Sequence, residues 1–343
     1  MDTVRLGTTD IIVNKNGFGA LPVQRCTLDN AVSLLRYAFD HGFTYFDTAR
    51  AYSDSEIKIG AALADVRHHL FIATKTAACN ASDFESDLNT SLKNLKTDYI
   101  DVYQFHNPAF CPKPGDGSGL YEAMLKAKKD GKIRHIGITN HRLSVAAEAI
   151  ESGLYETLQF PFSYLSGQQE LDLLHACEKK EMGFIAMKAL SGGLITNSAA
   201  AYAYLAQFPS VLPIWGIQRQ KELDEFVSYI DAPPTLTAEL SDLIQHDRKE
   251  LVGEFCRGCG YCMPCPAGIE INNCARMSLM LRRAPSEAWL TPEWQQKMSL
   301  IEQCLHCNSC MSKCPYGLNT PELLQKNLAD YKKVLSDRSI VQS

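Results

Sequence analysis

Strand-like and helix-like segments alternate along the first two thirds of the chain. Eight short apolar runs have the pattern of buried strands, and amphipathic stretches with apolar residues near a 3.6-residue spacing separate them. Eight βα units in about 230 residues predict a (β/α)8 TIM barrel, because short connections favour a right-handed parallel sheet. The predicted strands are Gly17–Ala20, Phe43–Asp47, Leu70–Thr74, Tyr99–Phe105, Ile133–Ile138, Leu154–Phe160, Gly183–Met187 and Val211–Trp215.

A short hairpin is also predicted, from Val4 to Val13, before the first βα unit. A doubly wound sheet is the alternative architecture. Such a sheet normally carries a glycine-rich G-x-G-x-x-G loop after its first strand, and the sequence has none. The helices predicted between the strands include Asp29–His41, Phe84–Leu95, Tyr121–Lys129, Leu171–Lys180 and Lys221–Tyr229.

The pattern changes at Pro233 and Pro234, where the alternation of strands and helices ends. We therefore predict two domains: the α/β barrel over residues 1–235, and a smaller, mostly α-helical, ferredoxin-like domain over residues 236–343. The helices predicted in the second domain are Ala238–Leu251, Asn273–Arg282, Pro292–Gln303 and Pro321–Leu335.

Nine of the thirteen cysteines lie between Cys256 and Cys314, and eight of them form two regular runs. The second run reads C-x2-C-x2-C-x3-C-P, a spacing in which three thiolates hold one [4Fe–4S] cluster and the fourth reaches a neighbouring cluster. Two such runs predict two [4Fe–4S] clusters. The predicted ligands are Cys256, Cys259, Cys262 and Cys265 in the first run, and Cys304, Cys307, Cys310 and Cys314 in the second.

Two points about these runs stay open. Zinc also binds four thiolates, but zinc modules usually place two C-x2-C pairs on separate knuckles rather than three cysteines in series before C-P. A disulfide framework is less consistent with a chain of this length. The first run has only two residues between Cys262 and Cys265, so the fourth ligand of the first cluster is Cys265, Cys314, Cys274 or a group other than cysteine.

Composition narrows the range of partners. The formal net charge is −5 and the sequence pI is about 6.0, with no basic cluster, so nucleic acid and anionic membranes are poor candidates. No apolar stretch approaches the roughly 18 residues of a membrane span. The first residues show no hydrophobic signal core, and thiolate-bound clusters are easily oxidised, so we expect the reducing cytoplasm.

Polar residues collect at the carboxyl ends of the predicted strands, where a barrel of this kind places its active site. Asp47 ends the second strand and Tyr52 follows five residues later, while Lys75 and His106 come at the ends of the third and fourth strands. Each residue alone has an ordinary packing role, and only the combination indicates a site. Thr139 and Asn140 follow the fifth strand, and Gln159 lies near the end of the sixth.

These segments resemble the aldo-keto reductase family. The spacing from Asp47 to Tyr52 and the strand-end positions of Lys75 and His106 agree with the family pattern. The resemblance covers the barrel, and a branch of the family carries a C-terminal cysteine-rich module like this one. The matching segments are Gly42–Tyr52 (GFTYFDTARAY), Ser55–Glu56 with Gly60, Ala73–Lys75 (ATK), Asp98–His106 (DYIDVYQFH) and Gly131–Asn140 (GKIRHIGITN).

The resemblance implies a catalytic tetrad of Asp47, Tyr52, Lys75 and His106. A tyrosine hydroxyl has an ordinary pKa near 10 and needs help to exchange a proton at neutral pH. A nearby lysine ammonium favours the tyrosinate, and an aspartate keeps the ammonium charged and in place. Tyr52 can then protonate a carbonyl oxygen, while His106 orients that carbonyl and shares its developing negative charge.

The resemblance also implies a nicotinamide cofactor, NADP(H) or NAD(H), at the same rim. Its carboxamide is held by residues that correspond to Thr139, Asn140 and Gln159, and the segment containing Lys188 and Ser191 lies along it. The chain departs from the family after the eighth strand, which leaves the NAD or NADP preference open. Many members have lysine, serine and arginine for a 2′-phosphate where this chain has Gly216, Ile217 and Glu222; Glu225 keeps its place, and Arg219 and Lys221 are the alternative cations.

Two functions follow from these features. The first is an oxidoreductase that interconverts a small carbonyl and an alcohol by hydride transfer and carries two [4Fe–4S] clusters. The alternative is an electron-transfer component whose clusters relay electrons to or from a partner redox protein; a vestigial tetrad with purely structural clusters is a third. The intact tetrad favours the first. Loop 107–119, with three prolines and three glycines, is expected to cover the substrate pocket.

Overall fold

The computed structural model of the 343-residue chain describes residues 3–251, 255–281 and 286–341. The chain divides into two compact units. The barrel unit comprises Met1–Ala189 and Asn197–Asp242, and the C-terminal unit comprises Leu190–Thr196 and Leu243–Ser343.

Eight parallel strands close into a barrel, which confirms the fold predicted from the alternation of strands and helices. Each strand pairs with its neighbour along the chain, and the last pairs with the first. The carboxyl ends of all eight strands therefore meet at one rim. The strands are β1 (Thr3–Arg5) and β2 (Ile12–Asn14) in an antiparallel hairpin, then β3 (Gly17–Gly19), β4 (Tyr45–Asp47), β5 (Phe71–Thr76), β6 (Ile100–His106), β7 (Ile133–Thr139), β8 (Thr157–Pro161), β9 (Gly183–Met187) and β10 (Val211–Gly216) in the barrel.

Helices connect the barrel strands, and the five helices predicted above are present within three residues of their predicted ends. One of the remaining helices, α7, buries seven of its nine residues, so it lacks an amphipathic pattern. No helix in the described residues is long and apolar enough to cross a membrane. The helices are α1 (Leu28–Asp40), α2 (Ser55–Leu63), α3 (Ala81–Leu95), α4 (Leu120–Lys129), α5 (Leu143–Ser152), α6 (Gln168–Lys179), α7 (Ser198–Ala206) and α8 (Gln220–Asp231).

The predicted hairpin of β1 and β2 packs against the barrel core. Its inward side chains, including Val4 and Ile11, belong to one buried cluster with Tyr45, the first residue of β4. Gly7, in the turn of the hairpin, has φ +55°, and a Cβ there would lie 2.4 Å from the carbonyl oxygen of Glu181. Only glycine fits both this backbone conformation and this close approach. The hairpin therefore covers the end of the barrel where the strands begin.

The C-terminal unit is largely helical, as predicted. Its first helix, which starts just inside the barrel unit, has the predicted bounds, and the last one extends beyond the predicted Pro321–Leu335. The predicted helix Pro292–Gln303 ends as an α-helix at Ser299 and continues as one 3-10 turn. The helices are α9 (Ala238–Leu251), α10 (Ile271–Cys274), α11 (Met277–Leu281), α12 (Pro292–Ser299), α13 (Ser309–Ser312) and α14 (Thr320–Val341).

The helix predicted over Asn273–Arg282 is divided between α10 and α11, and its last residue, Arg282, lies outside the described residues. The buried side chain of Asn327 in α14 explains the break. Its Nδ2 donates to the carbonyl oxygen of Ala275 (3.1 Å), and its Oδ1 accepts from the backbone N–H of Ser278 (2.8 Å). These two backbone groups thus bond to Asn327 instead of continuing one helix.

A buried ion pair joins β6 to the 3-10 turn that precedes β5. Arg67 donates to Asp101 at 2.6 Å, and the two side chains are only 5% and 1% exposed. Asp101 also accepts the backbone N–H of Ile72 at 2.8 Å. Removing one partner of such a pair leaves the other charge buried and uncompensated.

Asp101→Asn should lower the free energy of unfolding by about 3–5 kcal/mol, because it strands the Arg67 guanidinium in the barrel wall. Urea unfolding followed by near-UV circular dichroism measures this. The matched control is Asp65→Asn, which breaks the solvent-exposed pair with Arg36 (2.7 Å) and should have little effect. Equal losses in the two variants would contradict the role given to Asp101.

Candidate active site and cysteine cluster

The four residues of the predicted tetrad occupy the carboxyl-terminal rim of the barrel unit. Asp47 is the last residue of β4, Lys75 the last but one of β5, and His106 the last of β6. Tyr52 lies in the turn between β4 and α2. Neighbouring parallel strands end side by side, so the structure brings together residues that are up to 59 positions apart in the sequence (Asp47 to His106, 106 − 47 = 59).

Lys75 and Asp47 form a fully buried ion pair. The Lys75 Nζ lies 2.6 Å from Asp47 Oδ1 and also donates to the Thr48 carbonyl oxygen at 2.6 Å. The carboxylate accepts two further, longer bonds, from Gln104 Nε2 (3.4 Å) and Gln159 Nε2 (3.3 Å). Four hydrogen bonds, including the one between the two charged groups, therefore hold the ammonium and the carboxylate in place.

Burial and mutual attraction act in opposite senses on this pair. Burial raises the pKa of Asp47, and the Lys75 ammonium works against that rise. Burial likewise lowers the pKa of Lys75, and the Asp47 carboxylate opposes the change. The attraction between the two groups thus offsets part of the effect of burial on each pKa.

Tyr52 and His106 lie beside this pair and are only half-buried. The Lys75 Nζ is 5.4 Å from the centroid of the Tyr52 ring, and the Tyr52 and His106 ring centroids are 5.6 Å apart at 83°. Burial, followed by the charge of Lys75, lowers the pKa of His106 to about 3. The imidazole is therefore neutral at pH 7 and can donate one hydrogen bond.

The three residues expected to hold a carboxamide are all buried at the rim. Thr139 Oγ1 donates to the Met187 thioether at 3.7 Å, a weak bond that leaves the hydroxyl suited to a stronger partner. Gln159 accepts a bond from Gln104 Nε2 (2.9 Å) and donates to Asp47. This amide and hydroxyl chemistry fits a nicotinamide carboxamide.

Asn140 also stabilises the backbone around it. Its Nδ2 donates to the Pro108 carbonyl oxygen at 2.9 Å, and its Oδ1 accepts the backbone N–H groups of His141 (2.9 Å) and Arg142 (2.8 Å). These bonds fix the turn into α5 and tie it to the start of loop 107–119. One amide hydrogen of Asn140 is left for a ligand.

The segment after β9 has an irregular backbone. Lys188 (φ 55°) and Ser191 (φ 48°) adopt the left-handed conformation, and so does Gly192 (φ 66°). Both Lys188 and Ser191 are half-buried. Lys188 belongs to the barrel unit, whereas Ser191 belongs to the segment Leu190–Thr196 of the C-terminal unit.

The residues after β10 are mostly exposed. Gly216, Arg219 and Glu225 all present exposed surface. Glu222 is committed to the start of α8, because its Oε2 accepts the backbone N–H groups of Gln218 (3.0 Å) and Arg219 (3.1 Å). Its Oε1 also lies 3.6 Å from the Arg219 Nε. Glu222 therefore acts as a helix-terminal group, and its charge faces Arg219.

Sequence patterns alone did not identify Gln104 as part of this site. Its Nε2 bridges the Asp47 carboxylate and the Gln159 amide oxygen inside the barrel. A signal was available, since Gln104 precedes His106 by two positions on β6 and side chains two apart on a strand share a face.

The eight cysteines of the two runs all belong to the C-terminal unit. Cys256 and Cys262 are buried, Cys307 is exposed, and the other five are partly exposed. Among the described residues, no three His, Cys, Asp or Glu side chains are placed to hold a single metal ion.

Cysteines of both runs line one pocket in the C-terminal unit. Its lining includes Cys265 from the first run. An all-thiol set around an open space fits thiolate-ligated iron–sulfur clusters, because soft thiolates favour iron–sulfur centres and metal binding removes the thiol protons. The other cysteines in this lining are Cys262, Cys304, Cys307 and Cys310.

Cys314 lies near the first run instead. Burial raises the pKa of the Cys256 thiol, and Cys259 and Cys314 are both near enough to raise it further. Cys274 is separate from this group: it is fully buried, its Sγ lies 4.0 Å from the Lys297 carbonyl oxygen, and burial raises its pKa to about 12.

Comparison with known sequences agrees with this geometry. The sequence model of the aldo/keto reductase family matches residues 15–200, and that of a 4Fe-4S dicluster domain matches residues 255–319. The chain belongs to the aldo/keto reductase family.

Three relatives illustrate the range of similarity. The uncharacterised oxidoreductase YqkF of Bacillus subtilis is 29% identical over 209 residues (56% of this chain, 66% of the relative). L-galactose dehydrogenase of Arabidopsis thaliana is 30% identical over 211 residues (56% and 66%), and methylglyoxal reductase DkgB of Escherichia coli O157:H7 is 36% identical over 130 residues (36% and 47%). The chain thus spans less than two thirds of the length of these relatives.

Solved structures share the fold at low sequence identity. The holo form of aldo-keto reductase AKR11C1 from Bacillus halodurans is 23% identical, with a TM-score of 0.65 over 74% of this chain and 98% of that one. The aldo/keto reductase of Klebsiella pneumoniae in complex with NADP and acetate is 23% identical, with a TM-score of 0.61 over 71% and 94%.

The positions of the cysteines predict which of them bind iron. Cys274→Ala should leave the iron and sulfide content of anaerobically purified protein unchanged, because Cys274 lies outside both groups of cysteines. Cys265→Ala and Cys314→Ala should each lower the iron content. Loss of one cluster's iron from Cys274→Ala, with Cys265→Ala unaffected, would contradict this assignment.

Proposed function

We propose that the chain is an oxidoreductase that interconverts a carbonyl and an alcohol by hydride transfer with a nicotinamide cofactor. The observation that carries the proposal is the buried Lys75–Asp47 ion pair placed next to the ring of Tyr52. We assign this chemistry to a barrel domain, residues 1–235, and two [4Fe–4S] clusters to a C-terminal domain, residues 236–343, in a reducing cytoplasm.

In this proposal Tyr52 exchanges the proton. Its hydroxyl protonates the carbonyl oxygen during reduction and takes the proton back during oxidation. The Lys75 ammonium stabilises the tyrosinate that remains, and Asp47 opposes the lowering of the Lys75 pKa by burial. Because Tyr52 is half-buried whereas Lys75 and Asp47 are fully buried, only the tyrosine of these three is open to a substrate.

His106 orients the substrate. Its imidazole is neutral at pH 7 because burial lowers its pKa to about 3, so it donates a hydrogen bond rather than a proton. A donor placed beside Tyr52 shares the negative charge that develops on the carbonyl oxygen.

The nicotinamide, when bound, supplies the hydride. Thr139, Asn140 and Gln159 would hold its carboxamide, and Lys188 would bind further along the cofactor. Ser191, predicted for the same role, belongs to the C-terminal unit. Gly216, the last residue of β10, would allow close approach, and Arg219 and Glu225 would bind the adenosine end. We propose that NADH is accepted at least as well as NADPH, since the Arg219 guanidinium already faces Glu222 and a 2′-phosphate competes with that carboxylate.

The cysteine groups support two clusters with exchanged fourth ligands. Cys256, Cys259 and Cys262 with Cys314 would hold the first cluster, because Cys314 lies near Cys256. Cys304, Cys307 and Cys310 with Cys265 would hold the second, because these four line one pocket. Cys262 also lines that pocket, and we assign it to the first cluster because Cys256 and Cys259 act on its thiol as well. Such exchange is the known behaviour of the C-x2-C-x2-C-x3-C-P spacing.

The substrate in this proposal is a small aldehyde or ketone. Loop 107–119 is held by bonds to residues outside it: Tyr155 donates to the Pro112 carbonyl oxygen at 2.5 Å, and the Gly115 N–H donates to Glu122 Oε1 at 2.7 Å. A defined loop of this kind limits the size of a substrate at the rim. Methylglyoxal is a suitable probe, because it is the substrate named for one of the relatives.

One observation favours the second function, electron transfer with a partner protein. Cys307, a proposed ligand of the second cluster, is exposed, and Leu305 (65% exposed) and Met311 (40%) flank it in the sequence. Exposed apolar side chains next to a cluster ligand are suited to contact with a redox partner. The two functions are compatible within one chain.

Tyr52→Phe should lower turnover of a carbonyl substrate by about 10²–10⁴-fold, the usual loss on removing a general acid. Iron content and nicotinamide binding should stay near wild type, because neither involves the hydroxyl. Steady-state kinetics with methylglyoxal and fluorescence titration with NADH and NADPH measure both.

Tyr45→Phe is the matched control for this experiment. The Tyr45 hydroxyl is buried near the other end of β4 and finds no hydrogen-bond partner in the described part of the chain. Its removal should leave turnover unchanged. Wild-type turnover in Tyr52→Phe would refute the tetrad.

A second prediction concerns electron exchange between nicotinamide and clusters. A nicotinamide gives two electrons together as hydride, whereas a [4Fe–4S] cluster takes one at a time. NADH or NADPH alone should therefore leave the visible cluster absorbance of the isolated chain nearly unchanged, while dithionite should bleach it. Rapid bleaching by nicotinamide in a flavin-free, partner-free sample would overturn this expectation.

A further inference from the structure

Arg276, between α10 and α11, is a buried charge without an acidic partner. Arg276 is only 8% exposed, and its Nε has no hydrogen-bond partner in the described part of the chain. Its other nitrogens bond to neutral groups, Nη1 to the Gly192 carbonyl oxygen (2.7 Å) and Nη2 to Asn273 Oδ1 (3.2 Å). No carboxylate pairs with it among the described residues.

Such a group needs a compensating anion. Burying an arginine away from water is costly unless the charge is paired, and an arginine does not lose its proton in proteins. One backbone and one amide oxygen satisfy part of the guanidinium but leave its charge and its Nε–H without a counterpart among the described residues. The structure around Arg276 should therefore contain a site for negative charge.

The first cysteine run lies directly against the guanidinium. Gly258 stands between Cys256 and Cys259 in the sequence, and a Cβ on Gly258 would be 2.8 Å from Arg276 Cζ. The backbone N–H of Gly258 also points to Cys256 Sγ, at 3.4 Å. A glycine with φ +65° at this point lets the cysteine loop lie flat on the arginine.

The electrostatics of the two cysteines agree with this contact. Burial lowers the pKa of Arg276, whereas Cys256 and Cys259 favour its charged form. Burial raises the pKa of the Cys256 thiol, and Arg276 opposes that rise.

We propose that Arg276 is the charge partner of the first cluster, held by Cys256, Cys259, Cys262 and Cys314, and that it raises the reduction potential of that cluster. This inference rests on the proposed cluster ligation. Reduction adds one electron and hence one negative charge to the cluster, and a fixed cation nearby stabilises the reduced form more than the oxidised form.

No such cation lies among the described residues that line the pocket of the proposed second cluster. The residues that line its cavity include neither lysine nor arginine. Removing the charge of Arg276 should therefore change the reduction potential of one cluster and leave that of the other in place.

The test is a potentiometric titration of the full chain with dithionite, with both clusters followed by electron paramagnetic resonance. In Arg276→Gln, the equilibrium constant for reducing the first cluster should fall at least tenfold, about 59 mV for a one-electron step. Arg276→Lys keeps the positive charge, so its first cluster should have a reduction potential much closer to that of the wild type. Cys259→Ser and Cys307→Ser identify which signal belongs to which cluster.

Lys326→Gln is the control for charge in general. Lys326 lies on α14 in the same unit, is 69% exposed and pairs with Glu322 at 2.8 Å, so solvent screens its effect on both clusters. Neither signal should move in this variant.

The inference is overturned if both clusters keep their reduction potentials in Arg276→Gln. It is also overturned if the reduction potential of the first cluster falls as far in Arg276→Lys as in Arg276→Gln. Should Arg276→Gln not retain its iron, Arg276→Lys decides: a wild-type potential supports the inference, and a tenfold fall overturns it. Wild-type protein that never binds two clusters refutes the proposed ligation instead, and iron and sulfide analysis of the same sample separates that outcome.

Discussion

The buried ion pair between Lys75 and Asp47 is the interaction on which the site depends. Two charges inside a barrel lose their hydration, and their attraction compensates only if further hydrogen bonds complete both groups. Thr48 supplies one such bond to the ammonium, and Gln104 and Gln159 supply two to the carboxylate. The buried ion pair therefore requires these polar groups around it at the rim. It leaves Tyr52 and His106 as the partly exposed groups that a substrate can reach.

We propose that the two units serve different kinds of electron transfer. The barrel rim combines a proton donor with a neutral imidazole donor, which suits a two-electron hydride reaction at a carbonyl. The C-terminal unit collects thiols around open space and holds the unpaired charge of Arg276 against the first cysteine run, which suits one-electron centres. A balancing charge is needed in both places, Asp47 for Lys75 in one unit and a cluster for Arg276 in the other.

Much of this could be read from the sequence, because the informative features are local. Strand and helix periodicity gave the closed barrel, and strand ends placed Asp47, Lys75 and His106 on one rim. The division of one predicted helix into α10 and α11 was missed, because it depends on Asn327 about fifty residues away. The place of Arg276 was missed for the same reason, because its partner Gly192 is 84 residues away. The helix-terminal role of Glu222 is local, since it bonds to the backbone of Gln218 and Arg219, and the three-residue spacing from Arg219 was an available signal. A side chain's partner across the fold leaves no periodic trace.

The measurement that tests the account most directly follows the hydrogen that reaches the substrate. The cofactor would carry deuterium at C4 of its reduced nicotinamide, and the alcohol formed from methylglyoxal would be analysed by mass spectrometry, with the clusters oxidised and again with them reduced. Hydride transfer at the barrel predicts deuterium on the new carbinol carbon in both states, because the label moves directly. An unlabelled alcohol with hydrogen drawn from water would contradict the account, since electrons would then have passed singly through the clusters.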